Sequence, residues 1–184
     1  MKTVEEKMRL GVWYPQQRKR LSLTAGDPIE HVVRNDVGPA TFFPINVKNL
    51  HRSRLAVNCT AYLEKIVDVS TSDPLFTTIV EMKWGATTLP TIMIAPGGCR
   101  QIDAFFVRES CPQQLLFNAW WTDFSGAVPK LRGPGDFKLT YAVSSANFPL
   151  VQQSFVVHLS NTLSEITFKA CSPTCQLNHG FASL

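Results

Sequence analysis

Apolar and polar side chains alternate along this chain with a period of two, most clearly between Phe43 and Leu63. Phe43, Ile45 and Val47 fall on one side of an extended backbone, and Pro44, Asn46 and Lys48 on the other. After a polar stretch from Asn49 to Arg54, Leu55, Val57, Cys59, Ala61 and Leu63 share one face. Ala56, Asn58, Thr60 and Tyr62 share the opposite one. This period predicts strands with one buried face each. The two runs read as an antiparallel pair joined by a solvated turn, and such a pair needs a second sheet over its apolar side.

The same pattern recurs downstream. Phe76 to Trp84 places Val80, Met82 and Trp84 on one face, and Pro90 to Ile94 is a short apolar run closed by a Pro96-Gly97-Gly98 turn. Strands are predicted over Arg100 to Val107 and Leu115 to Trp121, with a loop at Glu109 to Gln113. Asp136 to Ser144 aligns Phe137, Leu139, Tyr141 and Val143, and Ser154 to Leu159 aligns Phe155, Val157 and Leu159. Glu64 to Leu75 reads as a connection, and Ile29 to Val33 as a short edge strand. About eight or nine strands at this spacing predict an all-β antiparallel sandwich.

The sandwich is expected over residues 40–160. Residues 1–39 form a basic arm and linker, and 161–184 a tail with Ser160-Asn161-Thr162 capping a short helix that carries Ile166 and Phe168. Of 18 basic and 14 acidic residues, six and two fall in residues 1–20. The other twelve of each cancel, so the net +4 belongs to the arm and the domain has no net field to steer a polyanion. Nucleic acid is therefore not an expected partner. Charged residues total 17%, below the usual ~25%, and 45% hydrophobic residues support a packed core.

Five cysteines (Cys59, Cys99, Cys111, Cys171, Cys175) show no framework spacing, and no apolar run is long enough to span a bilayer. With no apolar signal core near the N-terminus either, the expectation is a cytoplasmic protein with reduced thiols.

The runs FPINVKNL, LAVNCTAYLEKI, VEMKWGATT, TIMIAPGG and PGDFKLTYAVSSANFP resemble a group of uncharacterised prokaryotic proteins over about residues 40–160. The match falls on Asn49, Cys59, Leu63, Trp84, Pro96, Gly97, Gly135 and Phe137. The resemblance implies an immunoglobulin-like sandwich, often tethered to a membrane through another component. These are core and turn positions, so it supplies no catalytic residues.

The residues offer little chemistry of their own. No nucleophile elbow, phosphate loop or HExxH is present, and no enzymatic activity is expected. Cys59 reads as a buried core thiol and His158 as solvent-facing. Cys171-x3-Cys175-x3-His179 carries good zinc donors, but the usual knuckle is C-x2-C and a full tetrahedral set is missing. A tail with incidental cysteines fits better.

Consecutive strand residues point to opposite faces, so one of Trp120 and Trp121 would stand on the outer surface, where it could stack on a sugar. Trp13 and Tyr14 could anchor the arm or meet a partner, and Arg18, Lys19 and Arg20 could touch anionic lipid. The reading these features favour is a recognition module, binding a protein partner or itself through a sheet face or an edge strand. Carbohydrate binding and a small zinc protein are the alternatives.

Overall fold

The structure, a computed structural model, describes residues 20–32, 39–120 and 130–171. Its strands divide between two antiparallel sheets. The chain runs through β1 (Leu21–Ala25), β2 (Ile29–Val32) and β3 (Pro39–Asn49), then crosses to the other sheet in β4 (Ala56–Asp68). Three short strands pair with β4: β5 (Pro74–Phe76), β6 (Val80–Glu81) and β7 (Ile92–Ile94). The first sheet then gains β8 (Cys99–Arg108), β9 (Cys111–Leu116) and β10 (Leu131–Arg132). β11 (Gly135–Ser144), β12 (Val151–Leu159) and β13 (Thr167–Ala170) complete the second. In space the orders are β1-β3-β8-β9-β10, with β2 also on β3, and β13-β12-β11-β4-β5, with β6 and β7 also on β4. The chain is an all-β sandwich.

The expected hairpin between Phe43 and Leu63 does not form. β3 pairs with β1, β2 and β8, whereas β4 pairs with β11 and the short strands, so the loop between them arches from sheet to sheet. Alternation tells which face of a strand is buried, but not which strand it pairs with. The predicted burial holds for Phe43, Ile45 and Val47, and for Cys59, Ala61 and Leu63. It fails at the start of β4, where Leu55 is exposed and Ala56 buried. Asn58 explains the slip: its φ of 51° places it in the left-handed region, and the β4–β7 register shifts between Ala56 and Cys59. Pro44, which has no N–H for a ladder, falls at the register shift between β3 and β8.

Other boundaries move as well. β4 continues through Asp68, where a connection was expected, and β9 begins at Cys111 and ends at Leu116. The run to Trp121 is therefore not one strand: Trp120 lies in a turn after an isolated bridge between Ala119 and Met82. Beyond residues 40–160 the sheets also take in β1, β2 and β13. Ser160-Asn161-Thr162 leads into a single 3₁₀ turn at Leu163–Glu165, after which the chain is extended.

Between the sheets lies one core, whose largest members include Trp84, Tyr141, Phe43, Phe105 and Phe155. Phe43 stacks on Phe105 within the first sheet, and Phe105 meets Phe168 of the second edge-on at 5.1 Å. The Tyr141 hydroxyl crosses the core to donate to the Ala104 carbonyl at 3.1 Å. Both long sides are closed. β1 packs against β12 and β13, while on the other side the chain leaves β4 at Val80 and reaches β8 at the Trp84–Ile102 bridge.

Candidate functional site

The residues singled out in the sequence scatter. Trp13, Tyr14, Arg18, Lys19, Trp121, Cys175 and His179 lie outside the described residues. Cys171 is half-buried just past β13, with its backbone N–H on the Ser154 carbonyl at 2.9 Å. Among the described residues no three His, Cys, Asp or Glu side chains gather as a metal would require.

Trp120 is half-buried, with the Lys83 Nζ 5.6 Å from its ring centroid, and its Nε1 is buried without a hydrogen bond among the described residues. Its backbone N–H donates to the Glu81 carbonyl at 3.1 Å, and partial burial raises the pKa of the Glu81 carboxyl. Cys59 is fully buried, and burial raises its thiol pKa, with a Ser145 hydrogen bond opposing part of that shift. His158 is exposed as expected and joins Asp136 through Nδ1 at 2.7 Å.

A site the sequence did not single out lies beside β7. An open groove of about 530 Å³ runs between Thr91-Ile92-Met93 on one wall and Arg100-Gln101 at the start of β8 on the other. Gly85, Ala86, Thr87, Leu89 and Asn58 also line it. The backbone is closely held at Gly85. Gly85 donates to the Gln101 carbonyl at 2.8 Å, and a Cβ there would come within 3.0 Å of the Asp103 carboxylate. Ala86 follows at φ 58°, a conformation that costs an L residue roughly 1 kcal/mol or more. With Asn58, the groove thus holds two left-handed non-glycine residues, and strain of this kind gathers where backbone must be held for function.

Two properties suit the groove to an extended chain. β7 pairs with β4 through Ile92 and Ile94, so the backbone N–H and C=O of Met93 point away from β4. Leu89 and Met93 also stand 58% and 60% exposed beside that edge. The polar side chains there are Asn58, Thr87, Thr91, Arg100 and Gln101, which can hydrogen-bond a peptide but include no carboxylate, imidazole or thiol. The sequence hid this site because Ile92-Met93-Ile94 reads as an unbroken apolar run, the mark of a strand buried on both faces. Pro90 before it and the turn after it were the signals of a short edge strand.

No protein-family model matches the chain, and no curated protein matches it. The chain is similar to an X-ray structure of Northeast Structural Genomics Consortium target SoR45, at 13% identity over 90% of this chain and 97% of that one, with a TM-score of 0.34. A likeness at that level carries no argument. Among the described residues no helix is long and apolar enough to cross a membrane.

Proposed function

We propose that this chain is a recognition module that takes up an extended peptide segment along β7. The observation that carries the reading is the edge of β7 left without a strand partner among the described residues, flanked by the exposed Leu89 and Met93 and opening onto a groove. Strand addition supplies affinity through main-chain hydrogen bonds, and the apolar side chains beside the edge supply selectivity. We further propose that the fold is immunoglobulin-like. Support comes from the order of pairing: β1, β3 and β8 correspond to strands A, B and E of that fold, and β4, β11 and β12 to C, F and G. The segment between β4 and β8 pairs with β4, where a further strand of the C sheet runs in such domains.

Sugar stacking gains no support from Trp120, whose ring is half-buried beside Lys83.

The test is selection of linear peptides from a displayed library on the full chain, followed by hydrogen exchange. Bound peptides are expected to protect the Met93 amide and to lose about ten-fold or more in affinity on Leu89→Asp/Met93→Asp, a loss of about 1.4 kcal/mol. Peptides that bind that variant as well as the parent and leave Met93 unprotected would overturn the proposal.

A further inference from the structure

We infer that the end of the sandwich carrying the β3–β4, β7–β8 and β11–β12 loops docks on an anionic lipid surface. This surface adjoins the β7 groove and shares Arg100 with it, but the inference does not rest on the peptide reading.

The three loops are tied into one platform. Leu50 N–H donates to the Arg20 carbonyl at 2.8 Å, and Gly97 N–H to the His51 carbonyl at 3.2 Å. The Asn147 side chain donates to the Leu55 carbonyl at 2.8 Å and accepts from Val57 N–H at 3.0 Å. The His51 ring lies nearly parallel to Phe148, at 5.9 Å. A surface already held this way loses little conformational freedom on docking.

The platform carries charge of one sign. Arg20, Arg52 and Arg54 are exposed there, and residues 50–55, 95–98 and 145–150 contain no Asp or Glu. Among the described residues no ion pair is seen between these three guanidiniums and a carboxylate. The Arg54 backbone N–H donates to the His51 Nδ1 at 3.0 Å and the adjoining Leu50 N–H to the Arg20 carbonyl, so the chain brings Arg20 and Arg54 together at His51. Lys48 and Arg100 flank the platform at the ends of β3 and β8, and both are exposed. Cations in this number fit the four to eight typical of an anionic-lipid site.

Leucines distinguish a bilayer from other polyanions. Leu50, Leu55 and Leu150 are 46%, 38% and 59% exposed on the same loops. A nucleic-acid backbone rewards the arginines and leaves these leucines in water, whereas the boundary between headgroups and acyl chains rewards both. The domain's balanced total charge concealed the site, because Arg20 joins Arg52 and Arg54 from 32 residues earlier in the sequence.

The experiment is co-sedimentation of the full chain with vesicles of phosphatidylcholine alone or with about 30% phosphatidylserine, at low and physiological salt. Binding is expected only to the anionic vesicles, and to fall roughly ten-fold for Arg52→Glu/Arg54→Glu and for Leu50→Ser/Leu150→Ser. Lys65→Glu/Lys138→Glu, on the outer face of the second sheet, is the charge-matched control and should bind as the parent does. Hydrogen exchange on the parent protein needs no variant: residues 50–55 and 147–150 should gain protection on anionic vesicles. Equal binding to both vesicle types, or a leucine variant that binds undiminished, overturns the inference. So does binding to a DNA duplex without binding to vesicles.

Discussion

His51 shows how much one side chain does at the platform. Its Nδ1 accepts from the backbone N–H groups of Ser53 and Arg54, at 3.1 and 3.0 Å, and so holds the β3–β4 loop in shape. Protonation would turn that acceptor into a donor facing two donors. Desolvation, then Arg20 and Arg54, keep its pKa below the ordinary value of 6.5. A histidine depressed in the folded state binds fewer protons there than in the unfolded chain, so stability is full above about pH 6.5 and falls as pH drops below it. The urea midpoint should therefore be lower at about pH 5.5 than at pH 7.5, and His51→Gln should flatten that difference. A variant with the parent's full pH dependence would show that the imidazole is not the group responsible.

At the scale of elements, the sheet-to-sheet arch depends on Asn49. Its side chain is buried, donating to the Arg54 carbonyl at 2.8 Å and the Ile94 carbonyl at 3.0 Å, while its Oδ1 takes the His51 N–H at 2.9 Å. It thus joins β3, the arch and β7 at one point. Asn49→Ala leaves the Ile94 carbonyl without that partner and should lower unfolding free energy by about 3 kcal/mol with an unchanged denaturant slope. A change below about 1 kcal/mol would mean the arch is held by other contacts. The sequence pattern made most strands legible, because β11 and β12 each bury a face that alternates along most of their length, as at Phe137, Leu139, Tyr141 and Val143. Partners were not legible, since hairpin and arch share the same alternation. Nor were bulges: Asn58 in the left-handed region shifts the phase of β4 without any change in composition. The groove and the platform both gather residues distant in sequence, and only the fold brings Leu89 to Arg100 and Arg20 to Arg54.

For the molecule as a whole, the two sheets share one core and should open together. The thiols report on this directly. Cys99 and Cys111 are exposed, while Cys59 is fully buried with its pKa raised. An alkylating reagent should modify Cys99 and Cys111 at once and reach Cys59 only at the rate of global unfolding, as read by mass spectrometry of digests across a urea series. Prompt native-state labelling of Cys59 would reveal a local opening of β4. The arch between β3 and β4 also bears on synthesis. Because Ile45 pairs with Ile102, and Ala61 with Val143, neither long strand meets its central partner until the ribosome has added 57 or 82 further residues. At about 5–20 residues per second, the apolar faces of β3 and β4 wait several seconds with no hairpin between them to hide either one. Synthesis arrested after Asp68 should therefore leave a chain that aggregates more readily than one arrested after Leu159, as read by pelleting of released chains.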